Sequence, residues 1–398
     1  MCKFAPDFYI SALIISMKRS LLALAFTTFC LGITEFGMMG MLEEVAAGIG
    51  VDVVKAGHFI SAYSLGVAVG APGLILLRRW PMKRLLLLLI SIICIGNVCA
   101  AISPGYFTLL CSRFVSGLPH GAFFGAAAIV AERIAPEGRK AQAVAVMVGG
   151  MTVANVVGVP FATFLSNVLS WRLAFGVVGL CALVALICTR AWVPYLTPLP
   201  DTGLKGQFRF LSHPGPWLIY TGVFFGQASV YCWLSYIAPF MTGITHFSAE
   251  DMSWIMVIVG LGMVVGNAVA GKLSDRYPAA LVTGIIAAIL LVVMPAVYFL
   301  AAYKIPSVVL AFVAPACLFG IGGPLQYLIV KYAKGGEMLG GAGIQIAFNV
   351  SNAVSASLGG IAIRHGLGLA SPALVGVPFA AIGAAALFIL YRKYRIPA

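Results

Sequence analysis

Long apolar runs are the feature that most limits what this chain can fold into. Of its 398 residues, 61% are hydrophobic and only 9% are charged, whereas about a quarter of the residues of a soluble domain are charged. About 20 apolar residues in a helix cross the hydrocarbon core of a bilayer. We therefore expect a membrane protein. The twelve predicted spans lie at 20–42, 56–77, 85–103, 106–131, 142–166, 171–192, 217–241, 252–273, 280–302, 306–330, 340–363 and 373–391.

The spans are expected to be helices. A backbone in lipid must satisfy its own hydrogen bonds, and the two-residue alternation of a barrel strand is absent. The sequence therefore predicts an all-α polytopic membrane protein with twelve transmembrane helices in two six-helix bundles. The predicted units are a cytoplasmic N-terminal segment (1–19), an N-terminal bundle (20–193), a central cytoplasmic loop (194–216) and a C-terminal bundle with a short cytoplasmic tail (217–398).

The basic residues indicate how the chain is oriented. When the loops are assigned alternately to the two sides, 20 of the 25 Lys and Arg fall on the side that holds both termini. Such an excess is typical of the cytoplasmic side. We therefore expect a multi-pass protein of the plasma (bacterial inner) membrane with both termini in the cytoplasm. The net charge of +13 then reflects topology, so the expected partner is the lipid bilayer and not nucleic acid.

Motifs of metal sites and enzymes are missing from the sequence. The nine Cys form no CxxC pair, and eight of them lie inside apolar runs, where free Cys packs as a small hydrophobe. Residues 266–272 have the spacing of a phosphate-binding loop, but Leu273 replaces the Ser or Thr that such a loop needs. We expect no cofactor, no metal and no enzymatic activity.

One acidic residue differs from the rest in its position. Of the 12 acids, only Glu35 lies well inside a predicted span, roughly 6 Å outward of the bilayer centre at about 1.5 Å per residue. An ionised, unpaired carboxylate there costs several kcal/mol, so its proton is expected to be exchangeable. A role in proton coupling and a structural ion pair are both compatible with this placement. Thr28 and Met39 share the same helix face and are candidates for a substrate cavity.

The fourth span carries a basic counterpart. Arg113, Gly117 and His120 are spaced 4 and 3 residues apart and therefore share one helix face. This helix runs inward, which places Arg113 in the same outer half of the membrane as Glu35. We expect Arg113 to face an acid or an aqueous cavity, because an arginine without a partner in lipid would be very costly. His120 is interpreted either as a proton shuttle or as a hydrogen-bonded structural residue.

The fifth span is rich in helix-modifying residues. Gly150, Gly158 and Pro160 predict a bent helix that packs closely on its neighbours, and Thr152 and Asn155 are candidates for lining a cavity. Interhelical hydrogen bonding is the alternative for each polar candidate. The cavity candidates in the second half are Gln227, Tyr231, Trp233, Tyr236, Gln326, Gln345, Asn349 and Asn352.

Two segments carry a family resemblance. The run RFVSGLPHGAFFGAAAIVAERIAP, which begins at Arg113, is similar to the helix 4 motif of the major facilitator superfamily. The run MVGGMTVANVVGVPFATFL resembles, over Gly150 to Pro160, the glycine-proline motif of antiporters in helix 5. Within the superfamily the chain looks like the drug:proton antiporter group, and most like its arabinose efflux permease branch.

A third motif of that superfamily departs from the pattern. In the loop between helices 2 and 3, Leu77 stands where the superfamily has Asp, although Arg78 is present. The corresponding segment of the second half runs from Gly271 to Asp275 and Arg276 and keeps the acid. The resemblance therefore implies a gating role for this second segment, with Asp275 as its acid.

The resemblance also implies a function. Two bundles would rock about a central site that opens alternately to either side, while Glu35 exchanges a proton and Arg113 biases its ionisation. We expect a secondary active transporter that exports a small solute, sugar-like or drug-like, by proton antiport and works as a monomer. A proton-coupled importer or uniporter, and a receptor or scaffold without transport, are the alternatives.

Overall fold

The computed structural model describes residues 5–72, 77, 80–136, 140–196, 208–333 and 337–394, and most of them are helical. Eleven helices in this part of the chain are long and apolar enough to cross a membrane. The helices are α1 (Ala5–Gly40), α2 (Leu42–Ile49), α3 (Val53–Gly70), α4 (Met82–Ala101), α5 (Tyr106–Ile134), α6 (Lys140–Val153), α7 (Val159–Val168), α8 (Trp171–Trp192), α9 (Pro214–Leu234), α10 (Ile237–Gly243), α11 (Met252–Arg276), α12 (Ala279–Phe299), α13 (Lys304–Tyr332), α14 (Glu337–Arg364) and α15 (Ser371–Lys393).

Helix α9 occupies the remaining place in the predicted set of twelve. It has 21 residues, which at about 1.5 Å per residue is enough to cross the hydrocarbon core. It contains several aromatic residues and Gln227 alongside aliphatic ones. It packs against α14 and α15, so it belongs to the membrane-embedded body and completes the predicted all-α fold.

Two helix boundaries differ from the predicted domain limits. Helix α1 begins at Ala5, inside the predicted N-terminal segment 1–19. Helix α9 begins at Pro214, inside the predicted central loop. Proline is well tolerated in the first turn of a helix because its missing N–H has no partner there.

The fifth span is interrupted as its glycines and proline predict. Helix α6 ends at Val153, a π-helical turn covers Ala154–Gly158, and α7 follows with Pro160 in its first turn. Pro160 has no N–H for the carbonyl one turn earlier, and a wider turn absorbs that mismatch. The interruption turns Asn155 and Gly158 into the interior, where both are buried.

The helices pack as two sets, an N-terminal set (α1–α8) and a C-terminal set (α9–α15). In the first, α3 packs on α5 and α4 packs on α8; in the second, α11 packs on α13 and α12 packs on α15. The sets meet mainly where α3 lies along α14 and where α7 and the π turn contact α11. Spans two and four and spans eight and ten therefore form corresponding pairs, as expected for a duplicated six-helix unit.

The first and seventh spans break in the same way. Helix α1 gives way to α2 at Met41 (φ −121°, ψ 24°), and α9 gives way to α10 at Tyr236 (φ −118°, ψ 25°). Two nearly identical kinks at corresponding places are a structural trace of the duplication. The short helices that follow them, α2 and α10, touch each other across the two sets.

The described hydrogen bonds between the two sets lie towards one end of the molecule. This end carries α2 and the loops at 50–52 and 300–303, and we call it the Glu43 face; the opposite end, where α11 finishes, is the Arg276 face. The Glu43 carboxylate accepts from Thr242 Oγ1 at 2.9 and 3.0 Å. The Ser61 hydroxyl donates to the Ala353 carbonyl at 3.0 Å. The two sets are therefore held together at the Glu43 face.

Candidate functional site

A group of ionisable and aromatic side chains is buried inside the N-terminal set. Glu35 of α1 and His120 of α5 are each 1% exposed, and Arg113 of α5 is 0% exposed. Tyr63 of α3 lies among them and is 1% exposed. We call these four residues the buried cluster. It brings together the three residues that the sequence singled out for proton coupling.

Tyr63 connects the two basic members of the buried cluster. Its hydroxyl lies 2.7 Å from His120 Nδ1, and its ring lies beneath the Arg113 guanidinium, with Cζ 4.6 Å from the ring centroid. When the tyrosine hydroxyl donates to Nδ1, the imidazole proton is on Nε2. The arrangement fixes the imidazole so that Nε2 points towards Glu35.

Glu35 is held without a hydrogen bond. Neither carboxylate oxygen has a partner among the described residues, and His120 Nε2 lies 3.8 Å from Oε2, which is beyond hydrogen-bond distance. Arg113 is near enough to act on the carboxylate electrostatically. The charge on Glu35 therefore depends on the field of a neighbouring cation and not on fixed donors.

Arg113 is surrounded by rings in place of carboxylates. In the described part of the chain no salt bridge is formed by its guanidinium, whose three nitrogens are buried without hydrogen-bond partners. The Tyr63 ring and the Phe175 ring, 5.6 Å away, face the guanidinium. A desolvated cation over an aromatic face gains about 2 kcal/mol. This compensates only part of the cost of burying the charge.

A close helix contact makes this geometry possible. A Cβ on Gly117 would collide with the Tyr63 carbonyl oxygen of α3. Because Gly117 has no side chain, α3 and α5 approach closely. Tyr63 then fits between Arg113 and His120, which lie one helical turn before and one turn after Gly117. The predicted common face of Arg113, Gly117 and His120 is the face that packs on α3.

Tyr63 and Phe175 are not among the residues predicted from the sequence. Tyr63 is the single tyrosine of α3, and a phenolic hydroxyl within an apolar span needs a polar neighbour. That signal would have marked Tyr63 as a candidate. Phe175 carries no such signal, because a phenylalanine in an apolar helix is most simply explained as packing.

The C-terminal set brings uncharged polar groups to the interior. The Tyr231 hydroxyl and the Trp233 indole N–H are buried without hydrogen-bond partners, and Tyr231 lies near enough to Glu35 to feel its charge. Both side-chain atoms of Asn352 are likewise buried and unpartnered. Such groups cost about 1–3 kcal/mol each when nothing satisfies them. This face therefore offers binding positions for a polar ligand.

Two of the amides have a defined orientation. Gln227 Nε2 donates to the Leu318 carbonyl at 3.3 Å, and Asn349 Nδ2 donates to the Gln345 carbonyl at 3.0 Å. Flipping either amide would set two carbonyl oxygens against each other. The side-chain oxygens of Gln227 and Asn349 are therefore the free ends, and both are buried without a partner. The side-chain oxygens of Asn155 and Gln326 are also buried without a hydrogen-bond partner.

Other cavity candidates have contacts within the helix framework. The Thr28 hydroxyl donates to the Met147 carbonyl of α6 at 2.6 Å. The Tyr236 hydroxyl donates to the Ala356 carbonyl of α14 at 2.8 Å. Met39 is fully buried in the apolar core. Thr152 is half-buried, as is Gln345.

The residues expected to take part in conformational change lie at different depths. Gly150 packs so closely on α1 that a Cβ would collide with the Ala25 carbonyl oxygen. Gly271, Asp275 and Arg276 lie in the last turns of α11 at the Arg276 face, where Asp275 and Arg276 are exposed. Arg78 lies outside the described residues.

Metal chemistry has no support in the described residues. No group of three or more His, Cys, Asp or Glu in this part of the chain is placed to hold a metal ion.

Comparisons with known proteins agree with this architecture. AraJ of Escherichia coli (strain K12), named as a transporter, is 42% identical over 95% of this chain and 96% of its own length. A chloramphenicol resistance protein of Streptomyces lividans is 30% identical over 89% of this chain and 92% of its own length. Among solved structures, a bacterial homologue of the human lysosomal transporter Spinster, inward-facing and unoccupied, superposes with a TM-score of 0.71 at 19% identity and covers 96% of this chain and 99% of that one.

The family model agrees with these relatives. Residues 24–236 match the model of the Major Facilitator Superfamily. That range contains the whole buried cluster, both breaks at Met41 and Tyr236, and the interrupted fifth span. The chain belongs to the Major Facilitator Superfamily and is a multi-pass membrane transporter, not an enzyme.

Proposed function

We propose that this transporter exports a small solute, sugar-like or drug-like, by proton antiport with alternating access. The observation that carries the proposal is the buried cluster, in which Glu35 has a basic environment but no fixed hydrogen-bond donor. A carboxylate in that position can bind or release a proton as its surroundings change. The names of relatives support export, because one of them is a chloramphenicol resistance protein.

Coupling follows from competition for the same groups. When Glu35 is ionised, it faces Arg113 and the Tyr231 hydroxyl; when it is protonated, Arg113 loses its counter-charge. The ionised carboxylate and the free amide oxygens of Gln227 and Asn349 accept hydrogen bonds from the solute, and protonation of Glu35 removes one of these acceptors. Because proton and solute stabilise different charge states of one site, binding of one weakens binding of the other.

The solute is expected to offer hydrogen-bond donors. The free amide oxygens of Asn155, Gln227 and Asn349 accept hydrogen bonds, and Trp233 donates one. Hydroxyl and amide groups of a sugar-like or drug-like compound fit such a set. A multiply anionic solute does not, because acceptor oxygens and Glu35 would repel it.

The proposed orientation puts the Arg276 face in the cytoplasm. Lys and Arg concentrate there, as the positive-inside rule requires. The Glu43 face, where hydrogen bonds join the two sets, then faces outward. In this orientation the hydrogen bonds between the two sets would close the outer side.

The test is proton movement in proteoliposomes. A thermal-shift screen of sugars, drugs including chloramphenicol, and metabolites selects the solutes, and a pH-sensitive dye reports protons. We expect the solute to drive proton movement in the wild type and Glu35→Gln to reduce it roughly tenfold or more, since general proton-transfer groups contribute at least that much. Glu250→Gln, at an exposed loop carboxylate, is the matched control and should couple normally.

Other outcomes separate the alternatives. Normal coupling by Glu35→Gln would refute the proton-carrying role. Proton and solute movement in the same direction would indicate an importer, and solute flux without protons a uniporter. A solute that stabilises the protein but never crosses the bilayer would indicate a receptor.

A further inference from the structure

A groove lies on the lipid-facing side of the C-terminal set, at the Glu43 face. It has a volume of about 340 Å³. It lies where two membrane spans start, since α11 begins at Met252 and α13 begins at Lys304. The groove therefore sits at the boundary between lipid tails and headgroups. Its lining consists of Phe247, Trp254, Lys304, Ile305, Val308 and Val309.

The walls of the groove suit a hydrocarbon chain. Ile305 is 80% exposed and Val309 54% exposed, on the outer side of α13. Opposite them, the Phe247 and Trp254 rings meet edge to face with centroids 5.7 Å apart. Trp at the end of a span is typical of the membrane interface, where its ring faces tails and its N–H faces headgroups. One acyl chain can lie along this surface.

A cation is placed at the mouth of the groove. Lys304 Nζ lies 4.9 Å from the centroid of the Phe247 ring. Within the described part of the chain Lys304 forms no salt bridge. Its ammonium is exposed, so it is free to bind a phosphate. Lys304 is also the first residue of α13, where the helix dipole favours an anion.

A fixed carboxylate lies beside this cation. Asp251 accepts from Trp254 Nε1 at 2.9 Å and from the Ser248 backbone N–H at 3.0 Å. The hydrogen bond from Trp254 contributes most to holding the pKa of Asp251 below its ordinary value, and the bonds from Ser248 add to it. The positive charge of Lys304 lowers the pKa further. Asp251 therefore remains ionised at neutral pH. The mouth of the groove presents one fixed anion and one cation.

We propose that this groove binds a phospholipid whose headgroup carries a primary ammonium, as in phosphatidylethanolamine. The acyl chain lies against Ile305 and Val309, the phosphate pairs with Lys304, and the ammonium donates to Asp251. An anionic headgroup such as phosphatidylglycerol satisfies Lys304 but is repelled by Asp251. A trimethylammonium headgroup, as in phosphatidylcholine, has no N–H to donate.

The test is lipid retention by the purified full-length protein, measured by native mass spectrometry. The protein is equilibrated with equal amounts of phosphatidylethanolamine, phosphatidylcholine and phosphatidylglycerol that share the same acyl chains. We expect phosphatidylethanolamine to be retained roughly tenfold more than the other two lipids, because it alone can form the charge-assisted hydrogen bond to Asp251. Lys304→Gln should lower retention of all three lipids, whereas Asp251→Asn should remove the preference and leave retention of phosphatidylcholine unchanged.

The same helix supplies a matched control. Lys331, at the other end of α13, also lies 4.9 Å from an aromatic centroid, that of Tyr327, but it does not line the groove. Lys331→Gln should retain lipid as the wild type does. Equal retention of the three lipids by the wild type, or an equal effect of Lys304→Gln and Lys331→Gln, would overturn the proposal. Thermal unfolding of each variant confirms that it is folded.

Discussion

At the scale of single residues, the burial of the Arg113 charge carries a large desolvation cost. Its guanidinium has rings on two sides, and its nitrogens have no hydrogen-bond partner among the described residues. Contact with an aromatic face returns about 2 kcal/mol of the desolvation cost, and the nearby Glu35 charge returns more. The site is thus poised to gain from any ligand that brings acceptors to Arg113.

Tyr63 tests this interpretation. Tyr63→Phe keeps the ring beneath Arg113 but removes the hydroxyl that lies 2.7 Å from His120, so we expect a loss of about 1 kcal/mol in unfolding free energy. Tyr63→Leu also removes the ring and should cost about 2 kcal/mol more. Both are measured by thermal unfolding and by solute-driven proton movement, which should fall in both variants.

Tyr106→Phe is the matched control for Tyr63→Phe. The Tyr106 hydroxyl lies 2.7 Å from His58 Nδ1, outside the buried cluster. This variant should lose comparable stability and keep proton coupling. If Tyr63→Phe also kept full coupling, the tyrosine would have a structural role only.

At the scale of elements, the short helices α2 and α10 join the two sets. Each follows a kink of the same backbone geometry, at Met41 and at Tyr236. The kinks bring Glu43 on α2 to Thr242 on α10. The duplication therefore places two equivalent helices where they can hold one face of the molecule closed.

Thr242→Val should weaken this closure. Valine has nearly the shape of threonine but cannot donate to Glu43, so the Glu43 face should open more often. The measurement is labelling of a Ser64→Cys variant, without its native cysteines, by a membrane-impermeant maleimide; Ser64 is fully buried on α3. We expect labelling to rise roughly fivefold for about 1 kcal/mol lost. Thr221→Val, which loses a bond only within α9, should not change it.

The same labelling should depend on pH through Glu43. Burial raises the pKa of Glu43 above its ordinary value, although the Thr242 hydrogen bond opposes this shift. The closed form therefore binds the proton more tightly than an open form with a hydrated Glu43. Closure should be strongest at acid pH and weaken as pH rises through this raised pKa. Glu43→Gln should remove that pH dependence, and an unchanged profile would exclude Glu43 as its cause.

At the scale of the whole molecule, charge and closure distinguish the two ends. The loop assignment from the sequence puts most Lys and Arg on the side of the Arg276 face, while the described hydrogen bonds between the sets lie towards the Glu43 face. If the basic end lies in the cytoplasm, as proposed above, the hydrogen bonds between the sets lie on the outer side of the membrane.

Topology reporters test the orientation. Alkaline phosphatase inserted in the loop 300–303 should be active, because this enzyme matures only outside the cytoplasm. Green fluorescent protein fused after Ala398 should fluoresce, because it folds in the cytoplasm. An inactive phosphatase with a dark C-terminal fusion would reverse the orientation and, with it, the proposed direction of transport.

The sequence determined the features that a bilayer enforces locally. Each helix in lipid must satisfy its own backbone hydrogen bonds and present apolar side chains, so the spans, the break before Pro160 and the isolation of Glu35 could be predicted from runs and single residues. Family membership followed from two contiguous motifs. These features depend on neighbours within one helix.

The tertiary structure decided which side chains meet. The rings of Tyr63 and Phe175 around Arg113, and the contact between Glu43 and Thr242, depend on how separate helices rotate and cross. In lipid no hydrophobic force selects one helix face over another, so close packing and polar contacts decide it. The sequence shows that Arg113 needs a partner; only the packed structure shows that aromatic rings provide it.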